Sequence, residues 1–391
     1  MNILRKIEGT FIFIFMRIAV NARFLIKGKL EGVGWYTYEI LRRMVAAHPE
    51  DEFILIHDRP LATEYKFADN VKTVKTWMPT RHPVLWYFWF EFSIPRILKR
   101  EIADIFLSFD GHLSLAADTP TAYVLHDLAY LHYPNEIRST ALKFYKKYIP
   151  QYIKRADHIV SVSQHGKKDL RKHFPNIRDE NISVVGNGCR SIFQPISAQD
   201  KKSILAKYTE GNPFLFYVGA VQPRKNISRM IQAMDIVVKN HPEARLLIVG
   251  RQAWKTNKIR DTWENSDCRD NIHFLGFVED AEMAKLLASS EALVYPSLFE
   301  GFGVPVLEAM HCEVPVITSK GSSMEEVAGE AAILIDPTSI ESLGNAMSQI
   351  INNRDLTDKL IEAGKKQREK YNWDLAAEKM YTVLKKIMNY E

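Results

Sequence analysis

Glu300 and Glu308 are two carboxylates in the stretch Ser297–Met310, which reads SLFEGFGVPVLEAM. An apolar run, ALVYPS, leads into this stretch, and the proline and apolar residues after the glycines predict a helix that begins near Val304. The glycine-rich turn lets a ligand approach the backbone closely. Bare amides and the positive end of the helix dipole favour an anion there, while the carboxylates can accept hydrogen bonds from hydroxyls. An anion with hydroxyls on both sides describes a sugar nucleotide.

Arg224 and Lys225 are two cations in the sequence VQPRKN, which follows the apolar run FLFYVGA and precedes a helical pattern. Both therefore lie in a strand-to-helix loop at the carboxyl end of a predicted strand. Arg224 can bind two phosphate oxygens through its fork of donors, and Lys225 can add a mobile point charge. A solvated basic loop explains an Arg-Lys pair alone equally well, but the shared sheet edge with the glutamates favours a diphosphate clamp.

Glycines and a histidine occupy similar positions in the N-terminal half. Gly32 and Gly34 lie between the strand RIAVNA and a helix predicted from Trp35 to Ala47, where a glycine-rich turn suits a phosphate. Thr37 stands where the dinucleotide fingerprint has its third glycine. A tight turn without a ligand is the alternative. His126 and Asp127 end the strand TAYVLHD, where they can hold a sugar, orient it or take an acceptor proton. A helix N-cap at Asp127 beside a core histidine is the structural alternative.

The elements that must position these residues alternate between short apolar, β-rich runs and helical patterns. Seven candidate strands precede residue 190 and six follow residue 213. Such alternation predicts parallel sheets covered by helices on both faces. The pattern lapses in the polar stretch 190–213, which contains two prolines and predicts the boundary between domains. We therefore predict two doubly wound α/β domains that face each other across a cleft and bind ligands beyond the carboxyl ends of their strands.

Length and composition agree with this plan. A chain of 391 residues is too long for one ordinary core, and 46% hydrophobic and 25% charged residues are typical of a soluble globular protein. The formal net charge of +5 fits a phosphate-bearing ligand or an anionic membrane surface. It is too small to argue for nucleic acid without a concentrated basic patch, so no nucleic-acid partner is expected. Cys189, Cys268 and Cys312 have neither metal-ligand spacing nor a disulfide framework, which predicts a reducing, cytoplasmic compartment.

The predicted divisions are an N-terminal extension over 1–15, an N-terminal domain over 16–195, a C-terminal domain over 196–372 and a final helix over 373–391. We do not expect a signal peptide, since the first apolar run continues into a strand near Met16 without a cleavage site. A single helix is predicted from Leu85 to Lys99, within the aromatic stretch Leu85–Arg100. This stretch, the lysines of the following helix and Phe11–Phe15 suit contact with an anionic membrane. A buried aromatic stripe and a solvated lysine face are the alternatives.

The stretch SLFEGFGVPVLEAM resembles the E-x7-E signature of the retaining GT-B glycosyltransferases of family 4, which share the glycosyl transferases group 1 domain. The resemblance extends to FYVGAVQPRKN, LLIVG, FLGFV, VVGNG and the Gly32–Gly34 loop, and it covers nearly everything from Met16 onward. It departs in SSMEEV, where many relatives have a proline before the final Glu-Val. It implies a GT-B fold with two Rossmann-like domains, the C-terminal helix returning to the N-terminal one.

The resemblance implies roles for residues of the donor-binding half. Arg224 and Lys225 match the pair that binds the donor diphosphate. Glu308 matches the carboxylate on the nucleotide ribose, and Glu300 matches the one on the donor sugar. The remaining matches are Gly303 and Val304, whose amides reach the sugar and phosphate, and Phe277 and Val278, where the backbone commonly meets the base.

The resemblance is less specific in the N-terminal half, which meets the acceptor in this family. The turn at Gly32 and Gly34 faces the phosphates from this domain, and His126 matches the active-site histidine that contacts the donor sugar. The predicted catalytic residues are Glu300, His126 and Asp127, which follows His126 in the chain.

The implied activity is that of a retaining hexosyltransferase of surface-polysaccharide or lipopolysaccharide synthesis. We expect mannose from GDP-mannose as the donor group and a hydroxyl of a glycan or lipid-linked acceptor as its destination. No cofactor and no metal are expected, because the cations and the helix N-terminus can stabilise the leaving diphosphate and no D-x-D stands at a strand end. The alternatives are another GT-B sugar-nucleotide enzyme, such as an epimerase or phosphorylase, or a non-catalytic nucleotide-sugar-binding subunit.

Overall fold

A computed structural model of the chain describes residues 16–80, 82–251 and 257–389, so the predicted extension 1–15, with Phe11–Phe15, lies outside the described residues. The chain forms two compact units. The first comprises the chain up to His132, Ile137–Asn187 and the stretch from Trp373 onward; the second comprises Tyr133–Glu136 and Gly188–Asn372. This change at residues 187 and 188 comes earlier in the chain than the division predicted after residue 195.

The first unit is built on a seven-stranded sheet in which every pair of neighbours is parallel. Its strands are β1 (Arg17–Asn21), β2 (Glu52–His57), β3 (Val71–Lys75), β4 (Ile105–Ser108), β5 (Thr121–Leu125), β6 (His158–Ser161) and β7 (Ile182–Val184). They lie in the order β3-β2-β1-β4-β5-β6-β7, so the direction of winding reverses between β1 and β4. Nearly all residues of the central strands are buried, because helices cover both faces.

The second unit is built on a six-stranded parallel sheet. Its strands are β8 (Phe214–Val218), β9 (Arg245–Val249), β10 (Ile272–Gly276), β11 (Ala292–Tyr295), β12 (Val316–Ser319) and β13 (Ala332–Ile335). The order β10-β9-β8-β11-β12-β13 is that of a doubly wound nucleotide-binding sheet, with its switch point between β8 and β11. The predicted sets of seven and six strands are both found, and the predicted fold class is confirmed.

Helices connect the strands of both sheets. They are α1 (Gly32–Ala47), α2 (Pro83–Phe88), α3 (Ile94–Arg100), α4 (Ala129–His132), α5 (Ser139–Arg155), α6 (Gln164–His173), α7 (Ala198–Thr209), α8 (Ile227–Val238), α9 (Asn257–Glu264), α10 (Asp280–Ser289), α11 (Val304–His311), α12 (Ser323–Ala328), α13 (Ile340–Asn352), α14 (Arg354–Arg368) and α15 (Trp373–Ile387). Within the described ranges, none of these helices combines the length and the apolar character needed to cross a bilayer.

The final helix α15 packs on α1 of the first unit, as predicted. The Tyr381 ring stacks on His48 with ring centres 3.4 Å apart, and its hydroxyl donates to the Asp51 carboxylate at 2.6 Å. At the other end of the helix, the Trp373 ring meets the edge of Tyr36 at 5.9 Å. Buried apolar contacts along the helix therefore tie the end of the chain to the N-terminal sheet.

Three local predictions need correction. The polar stretch 190–213 contains the helix α7, which sequence periodicity misses because its signal is a cap: the Ser197 hydroxyl accepts a hydrogen bond from the Asp200 amide at 3.1 Å. Helix α1 begins at Gly32, not at Trp35, so the expected glycine turn is the first turn of a helix. The single helix predicted from Leu85 to Lys99 is interrupted by a wide π-turn over Trp89–Ser93, just before Pro95, which lacks an amide donor.

Candidate active site

Three charged side chains meet at the switch point of the second sheet. Arg224 and Lys225 lie in the short 3-10 turn after β8, and Glu300 follows β11, the strand paired with β8. In a doubly wound sheet the connections on either side of the switch point leave in opposite directions and open a crevice at the strand ends. The topology therefore explains why residues 75 positions apart in the chain come together.

The contacts among these three residues are close and largely shielded from solvent. The Lys225 ammonium bonds to one oxygen of Glu300 and lies 2.9 Å from the Tyr295 hydroxyl. The Arg224 guanidinium is 3.4 Å from the other carboxylate oxygen. Burial by itself would raise the pKa of Glu300, but the charges of Lys225 and Arg224 outweigh it and hold that pKa below its ordinary value. Glu300 is thus a carboxylate at neutral pH.

The two loops that carry these residues are fastened to each other by backbone contacts. The Leu298 amide donates to the Arg224 carbonyl at 2.9 Å, and the Arg224 guanidinium donates to the Phe299 carbonyl. The Asn226 side chain donates to the Pro296 carbonyl at 3.0 Å. Because both loops are fixed before any ligand binds, the cations are held in place at little further entropic cost.

Helix α11 begins at Val304, as predicted, next to this cluster in the chain. Gly303 precedes it with φ of +104°, a conformation that L side chains rarely adopt. A Cβ on Gly303 would also lie 2.8 Å from Cγ of Met324. The glycine therefore allows the sharp entry into the helix, and the first amides of α11 follow Glu300 by only a few residues.

Glu308 lies on α11 and is 6% exposed. Burial raises its pKa to about 7, against the opposing charge of Arg190, whose guanidinium nitrogen is 3.5 Å from the carboxylate. Arg190 also bonds to Asp280, the first residue of α10. No sequence pattern identifies Arg190, because its partner Glu308 lies 118 positions away.

A second residue missed by the sequence analysis belongs to the Tyr133–Glu136 segment of the second unit. The Glu136 carboxylate accepts a hydrogen bond from the Arg224 amide at 2.9 Å. The Tyr133 ring lies 6.2 Å from the Phe299 ring, and its hydroxyl is 3.5 Å from the Leu298 carbonyl oxygen. A carboxylate on the Arg224 amide shows that this loop attracts anions through its backbone as well as through its side chains.

Phe277 and Val278 follow β10 in the same unit, on the loop that leads to α10. The Phe277 side chain is 76% exposed, which is unusual for an aromatic residue next to a sheet edge. Asp280 follows two positions after Val278 and connects this loop to Arg190. The predicted base-contacting residues are therefore adjacent in the chain to the network that reaches Glu308.

The other predicted residues lie in the first unit. Gly32 and Gly34 are in the first turn of α1, and a Cβ on Gly34 would lie 2.8 Å from the Phe24 carbonyl oxygen, whereas one on Gly32 would meet nothing within 4 Å. His126 and Asp127 follow β5. Of the two glycines, Gly34 is the one that its surroundings require.

His126 and Asp127 both have structural partners. The His126 Nε2 donates to the Phe109 carbonyl oxygen at 2.7 Å, which assigns the proton to Nε2 and leaves Nδ1 as an acceptor. Burial lowers the pKa of His126, so the ring is neutral near pH 7. Asp127 accepts a hydrogen bond at 2.9 Å from the amide of Ala129, the first residue of α4, so its carboxylate supports the start of this short helix from two positions before it. A neutral imidazole with an available Nδ1 can accept a proton or a hydroxyl hydrogen bond.

Two clusters of the described residues have side chains that metal ions prefer. They are His132 with Asp169 and His173, and His48 with Glu50 and Asp51. Both lie in the first unit and include none of the predicted donor-binding residues. In the first cluster the His132 Nε2 is 2.8 Å from Asp169, so hydrogen bonding within the protein accounts for the approach.

The chain matches two family models and is similar to known mannosyltransferases. Residues 30–190 match the family model described as Glycosyltransferase Family 4, and residues 199–367 match the one described as Glycosyl transferases group 1. The chain is 24% identical over 363 residues to the O-antigen chain mannosyltransferase B of Escherichia coli, covering 89% of this chain and 94% of that protein. It is 28% identical over 269 residues to the O-antigen chain mannosyltransferase RfbU of Salmonella typhimurium, covering 68% of this chain and 71% of that protein.

Other similar proteins differ in length or in sequence. The chain spans about 40% of the serotype-specific mannosyltransferase WbdA of Escherichia coli, at 25% identity over 345 residues. Among solved structures, sucrose-phosphate synthase from Thermosynechococcus elongatus superposes with a TM-score of 0.77 at 17% identity, covering 96% of this chain and all of that one. WaaG, described as a glycosyltransferase involved in lipopolysaccharide biosynthesis, has a TM-score of 0.71 at 17% identity, covering 93% of this chain and 98% of that one. These likenesses identify the GT-B fold.

Proposed function

We propose that this chain, which belongs to the glycosyltransferase families described as Glycosyl transferases group 1 and Glycosyltransferase Family 4, transfers mannose from GDP-mannose with retention at the anomeric carbon. The acceptor is a hydroxyl of a glycan or lipid-linked glycan of a bacterial surface polysaccharide. The choice of mannose is supported by the similarity to O-antigen mannosyltransferases. Retention is supported by the family resemblance of the Glu300–Glu308 stretch.

The observation that carries the proposal is the Arg224, Lys225 and Glu300 cluster at the switch point of the second sheet. Its two cations are 15% and 10% exposed in their side chains, enough to meet a ligand while keeping bulk water away. A low local dielectric strengthens the attraction between such cations and a diphosphate. The first backbone amides of α11 add to the positive potential that Arg224 and Lys225 supply.

In the proposed reaction, the acceptor oxygen forms a bond to the anomeric carbon as the bond from that carbon to the β-phosphate oxygen breaks. The proton of the acceptor hydroxyl passes to the departing diphosphate. Arg224 and Lys225 stabilise the negative charge that grows on the leaving group, so the proposal requires no metal and no cofactor. Glu300 fixes both cations and accepts hydrogen bonds from hydroxyls of the donor sugar.

The proposal gives the first-unit residues supporting parts. Through Nδ1, the neutral His126 imidazole accepts a hydrogen bond from a sugar hydroxyl. Asp127 accepts a hydrogen bond from the Ala129 amide and so fixes the backbone next to His126. Gly34 allows α1 to start close to the Phe24 backbone, and the space beside Gly32 is open. Glu308 binds the ribose of the nucleotide, and the backbone at Phe277 and Val278 meets the base.

Mass-spectrometric detection of sugar transfer tests the reaction. Purified protein is incubated with GDP-, UDP- or ADP-sugars and glycan acceptors, and wild type is compared with Arg224→Ala, Lys225→Ala and Glu300→Ala. We expect each substitution to lower turnover by about 100-fold or more, the size of effect seen when a charge-stabilising group is removed. The matched control is Lys207→Ala, which removes an exposed lysine whose partner is Glu282 of the same unit. Undiminished turnover in all three site variants would refute the site assignment.

A thermal-shift panel of GDP, UDP, ADP and TDP tests the donor. A nucleotide that binds the native state raises the melting temperature by mass action, and we expect GDP to give the largest rise. A larger rise in melting temperature with UDP would mean that the donor is a UDP-sugar and not GDP-mannose. Nucleotide binding without transfer to any acceptor would favour a non-catalytic subunit.

The proposal also places the enzyme in the cytoplasm, in peripheral contact with the anionic inner face of the membrane. The aromatic stretch is divided: Trp89 and Phe90 are fully buried, whereas Val84, Phe88 and Phe92 are 56%, 41% and 42% exposed. These three recur every four residues along the α2–α3 segment, so they form one apolar stripe. Exposed basic residues flank it on the same segment and on α5, namely Arg96, Lys99, Arg100, Lys143, Lys146 and Lys147.

Sedimentation with lipid vesicles tests this contact. We expect binding to vesicles that contain phosphatidylglycerol but not to pure phosphatidylcholine, because the lysines add electrostatic attraction to apolar insertion. The Phe88→Ser/Phe92→Ser double variant should lose most of the binding, while Ile192→Ser, which alters a 40% exposed residue of the second unit, should retain it. Equal binding of both variants would contradict the stripe as the contact surface.

A further inference from the structure

Arg190, Asp280 and Glu308 form a network of three charges within the second unit. One guanidinium nitrogen of Arg190 bonds to Asp280, and another is 3.5 Å from Glu308. The guanidinium also lies 4.9 Å from the centre of the Phe193 ring. The side chains of Arg190 and Glu308 are 12% and 7% exposed, whereas that of Asp280 is 51% exposed. The network therefore leads from the surface loop after β10 to a buried carboxylate.

Arginine suits this position because its planar head presents donors in two directions at once. A lysine ammonium has a single charged centre on a flexible stem and cannot span Asp280 and Glu308 with the same geometry. With its guanidinium over the Phe193 ring and one nitrogen bonded to Asp280, the Arg190 head group has little freedom left when it meets Glu308.

Among the described residues, few other charged groups act on Glu308. Besides Arg190 and Asp280, its surroundings include the thiols of Cys189 and Cys312. Burial raises the pKa of both thiols, that of Cys312 to about 12, so they are uncharged near pH 7. Arg190 is thus the group whose charge opposes protonation of Glu308.

We infer that Arg190 is a positioning residue of the donor site, which favours the ionised form of Glu308 and orients it to accept hydrogen bonds from the ribose hydroxyls of the nucleotide. Through Asp280 it also connects Glu308 to the loop that carries Phe277 and Val278. The inference rests on the proposed function, since that is where Glu308 is given the ribose. It adds a residue that neither the sequence motifs nor the family resemblance assigns.

The consequence is a link between Arg190, pH and recognition of the ribose. A carboxylate accepts hydrogen bonds at both oxygens, while a protonated carboxyl group must spend one position as a donor. Without Arg190 the pKa of Glu308 rises further, so the group loses its charge at neutral pH. Nucleotide affinity should then fall at neutral pH and recover in part at alkaline pH.

Isothermal titration calorimetry with GDP across pH 6 to 9 tests the inference, with UDP in its place if UDP gives the larger thermal shift. We expect Arg190→Met to weaken binding at pH 7.5 by about tenfold, the usual effect of losing a charge-assisted contact. The acid limb of its affinity profile, where affinity falls as Glu308 is protonated, should move to higher pH than in wild type. Arg190→Lys should restore part of the affinity, and Lys207→Met should bind like wild type.

Asp280→Asn should change the pKa of Glu308 in the opposite direction to Arg190→Met. Removing this negative charge lowers the pKa of Glu308, so the acid limb should stay in place or move to lower pH, with affinity reduced by about threefold at most. A purely structural role for Arg190 predicts the same direction for both variants. Asp280→Asn also keeps the inference testable if Arg190→Met fails to fold.

The 2′-deoxy form of the same nucleoside diphosphate isolates the ribose contact. Wild type should bind the deoxy form about tenfold more weakly than the ribose form, and Arg190→Met should bind the two forms nearly equally, because the contact is already lost. An Arg190→Met protein that is folded and keeps the wild-type preference for the ribose form would overturn the inference. Failure of the proposed function would appear differently, as an absence of sugar transfer by wild type.

Discussion

The two sheets carry a cation and a carboxylate at the same topological position, yet the two pairs have different surroundings. In the first sheet, Arg23 follows β1 and Asp110 follows β4; in the second, Lys225 follows β8 and Glu300 follows β11. The side chains of Arg23 and Asp110 are 4% and 2% exposed, against 10% and 12% for Lys225 and Glu300. The first pair, which we call the sealed pair, is closed off from solvent. The second, which we call the open pair, can still be reached by a ligand.

Aromatic packing explains why the first pair is sealed. The Arg23 guanidinium lies 5.1–5.9 Å from the ring centres of four residues, Phe24, Trp86, Trp89 and Phe90. Burial alone would raise the pKa of Asp110, but the charge of Arg23 holds that pKa well below its ordinary value. Around the second pair, the Tyr295 ring centre lies 5.2 Å from the Lys225 ammonium, and Glu300 is followed by the glycine loop that leads into helix α11. The switch point supplies the position, and the neighbouring residues decide between a structural ion pair and a binding site.

The largest expected effect is on the sealed pair. Asp110→Asn leaves the Arg23 charge buried without its counterion, and we expect the free energy of unfolding of the first unit to fall by about 3–5 kcal/mol. Urea denaturation followed by tryptophan fluorescence measures it, since Trp86 and Trp89 lie on Arg23. Glu52→Gln is the control, because the Arg17–Glu52 pair is 22% and 26% exposed and should contribute less than about 1 kcal/mol. Equal losses in both variants would remove the distinction between sealed and open pairs.

The next effect is on the open pair. Lys225→Met should lower turnover by about 100- to 1000-fold, because a charge that stabilises the leaving group is lost. The melting temperature should change little, since Arg224 remains 3.4 Å from Glu300. Enzyme assays and calorimetry on the same preparation compare the two quantities. A variant that melts much earlier but retains its turnover would make this pair structural too.

The two units should also respond to pH in opposite directions. Burial lowers the pKa of His158 in the first unit from 6.5 to about 4, so its native form binds fewer protons than the unfolded chain, and stability is lost as pH falls from 6.5 through 4. Burial raises the pKa of Glu308 in the second unit from 4.5 to about 7, so stability is lost as pH rises from 4.5 through 7. Each group accounts for about 3 kcal/mol at most.

Substitutions that remove the titrating group test this contrast. His158→Gln should flatten the acid side of the stability profile of the first unit, and Glu308→Gln should flatten the neutral side for the second. Proteolysis followed by mass spectrometry of unit-specific peptides between pH 4.5 and 8 separates the two. Unchanged slopes in both variants would mean that other groups set the pH response.

The smallest effects concern the glycines. Gly34→Ala should cost about 1–2 kcal/mol of stability, since its Cβ would lie 2.8 Å from the Phe24 carbonyl oxygen, while Gly32→Ala should be neutral or slightly stabilising in open space. In the second unit, Gly303→Ala should cost a similar amount through its positive φ and also weaken nucleotide binding. Thermal melting with and without nucleotide measures both. Equal melting of Gly32→Ala and Gly34→Ala would contradict the close approach at Gly34.

The sequence predicted most of the fold, because strands buried on both faces are short runs of Val, Ile, Leu and Phe that helical patterns separate. All strands of both sheets were found where such runs occur. Helix α7 was missed because its start depends on a Ser197 cap in a polar stretch. The start of α1 at Gly32 was missed because glycine is a poor helix former, and tertiary packing overrides that preference.

The sequence also predicted which residues of the second unit would meet, because strand-to-helix loops of one parallel sheet converge at one edge. Arg224, Lys225 and Glu300 were placed together on that argument. Arg190 and Glu136 escaped it, since their partners lie 118 and 88 positions away and neither residue follows a strand of the second sheet. Contacts of this kind depend on tertiary packing, which no local pattern encodes.

Amide hydrogen exchange with and without the preferred nucleoside diphosphate tests the central claim, that the open cluster of the second unit is the donor site. We predict slower exchange in residues 221–226 and 297–308 on nucleotide binding, with no change in 21–25 and 108–113 around the sealed pair. The same experiment on Lys225→Met should show the protection much reduced. Protection confined to the segments around Arg23 and Asp110 would contradict the account.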